Sequence, residues 1–143
     1  MDAEAMVTQL RASEDGGRED VLQRLFAETI DFSHVPPNEH DGRVQRDRLI
    51  AGARAERARL QQAIADYTST HTYEADGDSI VERYHQRGTL DDGTVLDLPI
   101  TIIYAVLDSA ITGMRAEFDP DRASPVNRVL RAARDAPSAT DRA

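Results

Sequence analysis

Cysteine, lysine and tryptophan are all missing from this 143-residue chain. Without cysteine there is no thiol nucleophile, no disulfide and no thiolate metal site. Without lysine there is no Schiff-base amine and no phosphate-loop ammonium, and arginine supplies all 17 basic residues. Aromatic residues are only 5% of the chain, which limits it to a modest core. No apolar run approaches the roughly 18 residues of a membrane span. No basic-then-apolar leader opens the chain, so a cytoplasmic protein is expected. The net charge of −9 argues against nucleic acid or an anionic membrane as partner. The four histidines (34, 40, 71 and 85) have no compact ligand spacing, so no metal site is expected.

What is present is a run of strand signals. Tyr73–Ala75, Ile80–Leu90, Val95–Leu107 and Ile111–Asp119 are separated by Asp76-Gly77-Asp78, Asp91-Asp92-Gly93 and Asp108-Ser109-Ala110. Acidic and glycine residues tolerate the left-handed backbone of tight turns, and the β-branched and aromatic residues between them suit a pleated surface. Such a meander needs cover for one apolar face. Helical spacing supplies it in three places: residues 2–12 (Ala3, Met6, Val7, Leu10), about 19–28 (Val21, Leu22, Leu25, Phe26) and Val44 to Tyr67 (Leu49, Ile50, Ala53, Leu60, Ala63, Ile64, Tyr67). A short strand is expected at Ile30–Ser33, then Pro36-Pro37 and a polar loop, Asn38 to Arg43. Residues 121–143 carry one weak helical pattern (Val126, Val129, Leu130, Ala133) and are expected to form a largely disordered tail. The plan is one α+β domain over 1–120, with three N-terminal helices laid on a curved antiparallel sheet, an arrangement that leaves a pocket at the open end of the cone.

This order, with Ile111-Thr112-Gly113-Met114-Arg115-Ala116-Glu117-Phe118-Asp119-Pro120 as last strand, Leu98-Pro99-Ile100-Thr101 before it, and Phe32-Ser33-His34-Val35-Pro36 followed by Gly42-Arg43, resembles the SnoaL-like branch of the nuclear transport factor two superfamily. That superfamily includes ketosteroid isomerases, limonene epoxide hydrolases and polyketide cyclases. The resemblance implies a cone-shaped α+β barrel, a compact hydrophobic ligand, and a homodimer formed through the outer sheet face. It also implies cofactor-free proton transfer: isomerisation, cyclisation or dehydration. The fold hosts many functions, non-catalytic ones among them, so activity has to come from the site.

Two-residue alternation places Ile80, Glu82, Tyr84 and Gln86 on the inner face of their strand. A desolvated Glu82 carboxyl would rise in pKa and serve as acid or base; the alternative is an ion pair with an arginine. His34 stands where an isomerase-like relative carries its base, and its imidazole titrates near neutrality. Tyr84 and Thr101 are expected to orient the substrate, with Ile103, Met114, Ala116 and Phe118 as apolar wall. A one-residue slip would instead turn Arg83 and His85 inward, as in epoxide-hydrolase relatives. Thr101 and Ala116 stand where the isomerases and epoxide hydrolases place acids, so neither complete constellation is present. On Ile100–Val106 both faces are apolar, and Ile100, Ile102, Tyr104 and Val106 are assigned to the outer face as the dimer stripe. A non-catalytic ligand-binding or dimerisation module, or an epoxide-hydrolase-like hydrolase if Arg83 and His85 face inward, is the competing expectation.

Overall fold

The computed structural model describes residues 1–13 and 17–135. Asp2 starts helix α1 (Ala3–Arg11): its carboxylate accepts from the Ala5 amide at 2.9 Å, a cap worth about 1 kcal/mol. Ala3, Met6, Val7 and Leu10 are buried, as their spacing predicts. Helix α2 (Arg18–Leu25) buries Val21, Leu22 and Leu25 and passes directly into β1 (Phe26–Val35). The change from helix to strand thus comes earlier than expected. Phe26 satisfies either period, and here it begins the strand and packs on the ring of Tyr104. The polar stretch after Pro36-Pro37 turns back as β2 (Gly42–Gln45), a four-residue edge strand with too little apolar content to announce itself.

Helix α3 (Arg46–Ala63) ends before the expected limit at Tyr67. Asp66 takes φ 56°, which a short acidic side chain tolerates, and the chain enters β3 (Ala65–Asp76). Ile64 and Tyr67 fit helical spacing, but from Tyr67 the inward residues alternate through Ser69, His71, Tyr73 and Ala75. The junction is tight. A Cβ on Gly88 of the adjoining strand would lie 2.4 Å from Ile64 Cγ2 and 3.1 Å from the Ala65 carbonyl.

Strands β4 (Ser79–Thr89), β5 (Val95–Leu107) and β6 (Ala110–Phe118) follow through the expected turns, with Gly77, Gly93, Asp108 and Ser109 all at positive φ. The six strands form one open mixed sheet in the order β2-β1-β6-β5-β4-β3. All neighbours are antiparallel except β1 and β6, which the crossover through α3 and the meander makes parallel. Ladder register decides the faces. Glu82 pairs with Ile102 and Tyr84 with Ile100, while Ile102 pairs with Ala116 and Ile100 with Phe118, so these residues share the inner face.

That register corrects the reading of β5. Ile100, Ile102, Tyr104 and Val106 face the helices, not the outside, and Thr101 and Ile103 lie on the outer face beside Arg83 and Val81. Because β5 is apolar on both faces, its own sequence does not select one; the polar alternation of β4 does. A register shift between Ala105 and Val106 has a similar effect in β6: it buries Ile111 on the face of Met114, Ala116 and Phe118, where strict alternation would have put Thr112.

The weak pattern after the sheet is helix α4 (Pro120–Asp135). Ala123 and Val126 are buried against Leu60, Ile64, Leu96 and Leu98, making a second core beside the main one under α1 and α2. The expected disordered tail therefore begins with an ordered, docked helix, and its remainder lies outside the described residues. Among the described residues no helix is long and apolar enough to cross a membrane.

Candidate functional site

Between the helices and the inner sheet face lies an open cavity of about 1960 Å³. Its walls include Tyr67, Ser69, His71 and Tyr73 of β3, Tyr84 and Gln86 of β4, and Leu98, Ile100 and Ile102 of β5. Met114, Ala116 and Phe118 of β6 and His34 of β1 complete the sheet side, facing α3 and α4. Tyr84, Met114, Ala116 and Phe118, expected as ligand contacts, thus line this cavity. Thr101 and Ile103 are on the opposite face of the sheet.

Glu82 is fully buried (0% exposed) and sits behind the wall rather than on it. Arg18, from the start of α2, grips it with two hydrogen bonds: Nη2 to Oε1 at 2.6 Å and Nε to Oε2 at 3.0 Å. Tyr104 donates to Oε1 at 2.5 Å. His71 Nδ1 lies 2.5 Å from Oε2. Arg18 also donates to the hydroxyls of Tyr73 and Tyr104, each at 3.0 Å. Burial by itself would push the Glu82 carboxyl up, but the Arg18 guanidinium and the hydrogen bonds from His71 and Arg18 outweigh it and hold it down at about 2. The expected raised carboxyl is thereby corrected. Glu82 is an anchored anion, and the arginine pair foreseen as its alternative role is what the fold builds.

The same pair equips a neighbour. An ionised carboxylate only accepts, so His71 Nδ1 carries the proton at that contact, and the same ring lines the cavity. The imidazole is held flat against Tyr84, with ring centroids 4.4 Å apart and planes 10° apart. Spacing did not bring out His71, because the helical pattern before it was extended through Tyr67. The signal that would have found it is the alternation Tyr67, Ser69, His71, Tyr73 among threonines. Arg18 had no local signal at all.

Next to His71 is a phenol pair. Tyr84 and Tyr67 share a hydrogen bond at 3.2 Å, and Gln86 Nε2 donates to the Tyr84 hydroxyl. Burial raises both phenols above their ordinary value, which keeps them protonated donors at neutral pH. Toward the other end of the cavity, His34 Nδ1 meets Asp41 Oδ1 at 2.7 Å while its ring packs on Phe32 and, edge to face, on Phe118. Two histidines, each with one nitrogen committed to a carboxylate, therefore face one cavity. Arg83 and His85 do not share it. Arg83 is exposed and lies 3.6 Å from Glu74, and His85 bonds Asp97, both on the outer face.

The chain has an α+β cone fold like that of NTF2-like proteins. It resembles an NTF2-like protein from Burkholderia thailandensis E264 (TM-score 0.65, 15% identity, 89% of this chain and 98% of the other). It also resembles a protein named as a SnoaL-like polyketide cyclase from Jannaschia sp. CCS1 (TM-score 0.58, 18%, 88% and 94%) and an NTF2-like protein of unknown function from Cytophaga hutchinsonii ATCC 33406 (TM-score 0.57, 12%, 82% and 96%). No family model and no curated protein matches the sequence. At these identities the likeness is one of fold, and the chemistry has to be argued from the cavity.

Proposed function

We propose that this protein is a cofactor-free proton-transfer enzyme acting on a compact hydrophobic carbonyl compound, by isomerisation, cyclisation or dehydration. The observation that carries the reading is the 2.5 Å contact of His71 Nδ1 with the buried Glu82 carboxylate while the same ring lines the cavity. In this reading His71 Nε2 removes a proton from the carbon next to the substrate carbonyl. The C–H bond breaks, its electron pair passes into an enolate, and of the Tyr84–Tyr67 pair the hydroxyl whose proton is not used in their shared hydrogen bond donates to the enolate oxygen. The imidazolium then returns the proton at the same or a conjugated carbon. Glu82 is a positioning residue that fixes the tautomer and stabilises the imidazolium, and Arg18 keeps Glu82 ionised. His34, oriented by Asp41, is the second proton-carrying group, on the same sheet wall with three strands between β1 and β3. Ile100, Ile102, Met114, Ala116 and Phe118 supply the apolar surface.

The test is hydrogen exchange in D2O. A panel of cyclic and aromatic ketones is incubated with the protein, and deuterium uptake next to the carbonyl is read by mass spectrometry. Wild type is expected to catalyse uptake for some members, and His71→Asn to lower the rate by about 100-fold or more. Saturable ketone binding without uptake in wild type would turn the reading to a non-catalytic ligand-binding module, with the Arg18–Glu82 pair purely structural.

The proposed assembly is a homodimer through the outer sheet face, where Val81 and Ile103 stand side by side half-buried between Glu74 and Arg115. Sedimentation velocity should show a dimer, and Ile103→Arg a monomer.

A further inference from the structure

The cavity has the opposite charge from the molecule. The chain carries a net −9, yet among the described residues the cavity is lined by six arginines and only two acids, Glu19 and Glu56. Three of the arginines have a carboxylate near by: Arg18 on Glu82, Arg57 on Glu19 at 2.7 Å, and Arg43 on Asp31 at 3.5 Å. Arg11 gives both of its hydrogen bonds to the neutral Tyr73 carbonyl, at 2.7 and 3.2 Å. Among the described residues, no carboxylate lies within ion-pair distance of Arg48 or Arg59. Arg24 and Arg131 also lack such a partner among the described residues and lie elsewhere, but Arg11, Arg48 and Arg59 line this one concave surface, the latter two exposed to solvent, so their like charges act together there.

Arg48 and Arg59 share one side of α3. Eleven residues at 100° each return to within roughly 20° of the same direction, about 16 Å along the axis. Between them on the cavity wall is Gly52. Its backbone φ is not positive and nothing lies within 4 Å of where its Cβ would be, so neither conformation nor packing of the chain calls for glycine there. A mid-helix glycine costs about 1 kcal/mol against alanine, and its effect is open space one turn beyond Arg48.

We propose that the ligand of this cavity is an apolar anion, with a carboxylate or phosphoryl head group bound by Arg48 over Gly52 and its hydrophobic body along Met114 and Phe118 toward His71. The inference rests on the proton-transfer reading of the same cavity and names its substrate class. Arginine suits that role, because its planar fork pairs with either head group through two hydrogen bonds. The overall negative charge repels anions elsewhere on the surface, so selection for them is confined to this concavity.

The test compares two fluorescent probes that share one body, 8-anilinonaphthalene-1-sulfonate and the uncharged N-phenyl-1-naphthylamine. The anionic probe is expected to bind at least tenfold more tightly to wild type. Arg48→Gln, or 0.5 M sodium chloride, should shrink the difference below threefold, whereas Arg83→Gln on the outer face should leave it intact. Displacement of the anionic probe by 1-naphthylacetate or by 1-naphthyl phosphate supports the proposal and identifies the head group. Equal affinity for the two probes, no saturable binding of the anionic one, or displacement by neither competitor overturns it. The outcome is separable from catalysis: absent deuterium uptake beside a retained anion preference would reject the proton-transfer reading alone, and uptake with no anion preference would reject this inference alone.

Discussion

Glu82 and His71 touch, yet they answer to different measurements. Glu82→Gln keeps the shape but leaves the Arg18 guanidinium without its counter-charge in a buried setting, and losses of about 3 to 5 kcal/mol follow from breaking such pairs. A large fall in the urea midpoint is expected. His71→Asn removes a half-buried ring at the cavity wall, so its urea midpoint should move much less while deuterium uptake is lost. Comparable destabilisation by both, with uptake unaffected in His71→Asn, would make the whole cluster structural. Glu82 was legible as an inward-facing acid from the alternation of its own strand. Its partners were not, because Arg18, His71 and Tyr104 come from three separate elements and no spacing rule relates them.

At the scale of elements, two glycines separate packing from opportunity. Gly88 is crowded by Ile64 and the Ala65 carbonyl where α3 turns into β3, so Gly88→Ala should cost about 2 kcal/mol through overpacking. Gly52→Ala meets nothing and should stabilise by about 0.5 to 1 kcal/mol as a better helix former. Thermal unfolding of the two variants should shift in opposite directions. Helix α4 makes a third case. Val126→Ala removes two buried methylene equivalents from the second core and should cost about 1.5 kcal/mol. An unchanged midpoint would mean that α4 does not hold the cavity wall in solution. The pattern Val126, Val129, Leu130, Ala133 was readable, but whether so short an apolar stripe orders depends on Leu60, Leu96 and Leu98 lying within reach, which is a tertiary matter.

For the whole molecule, acid is the informative condition. The folded Glu82 carboxyl titrates at about 2 and an unfolded one near the usual 4.5, so the native state binds fewer protons between those values. Its contribution to stability is complete above about pH 4.5 and is lost as pH falls toward 2. Urea midpoints measured from pH 6 to pH 3 should therefore fall more steeply in wild type than in Glu82→Gln, which has no carboxyl to protonate. Parallel curves would place the acid sensitivity in the surface carboxylates, of which this chain has many.

The sequence alone determined what local periodicity and turn chemistry can encode. These are the meander with its three turns, helix α1, the body of α3, the inner face of β4 with Glu82 and Tyr84, and the exclusion of thiol and Schiff-base chemistry by composition. Only the tertiary structure decided the face of β5, where both sides are apolar and neighbouring strands set the register, so that Thr101 and Ile103 face outward. It also decided where α3 gives way to β3, since residues 64–67 satisfy the helical and strand periods alike. Above all it decided the company Glu82 keeps. A desolvated carboxylate with no partner binds a proton, and one gripped by an arginine does not. Which of these occurs depends on a residue 64 positions away, and only folding brings it there.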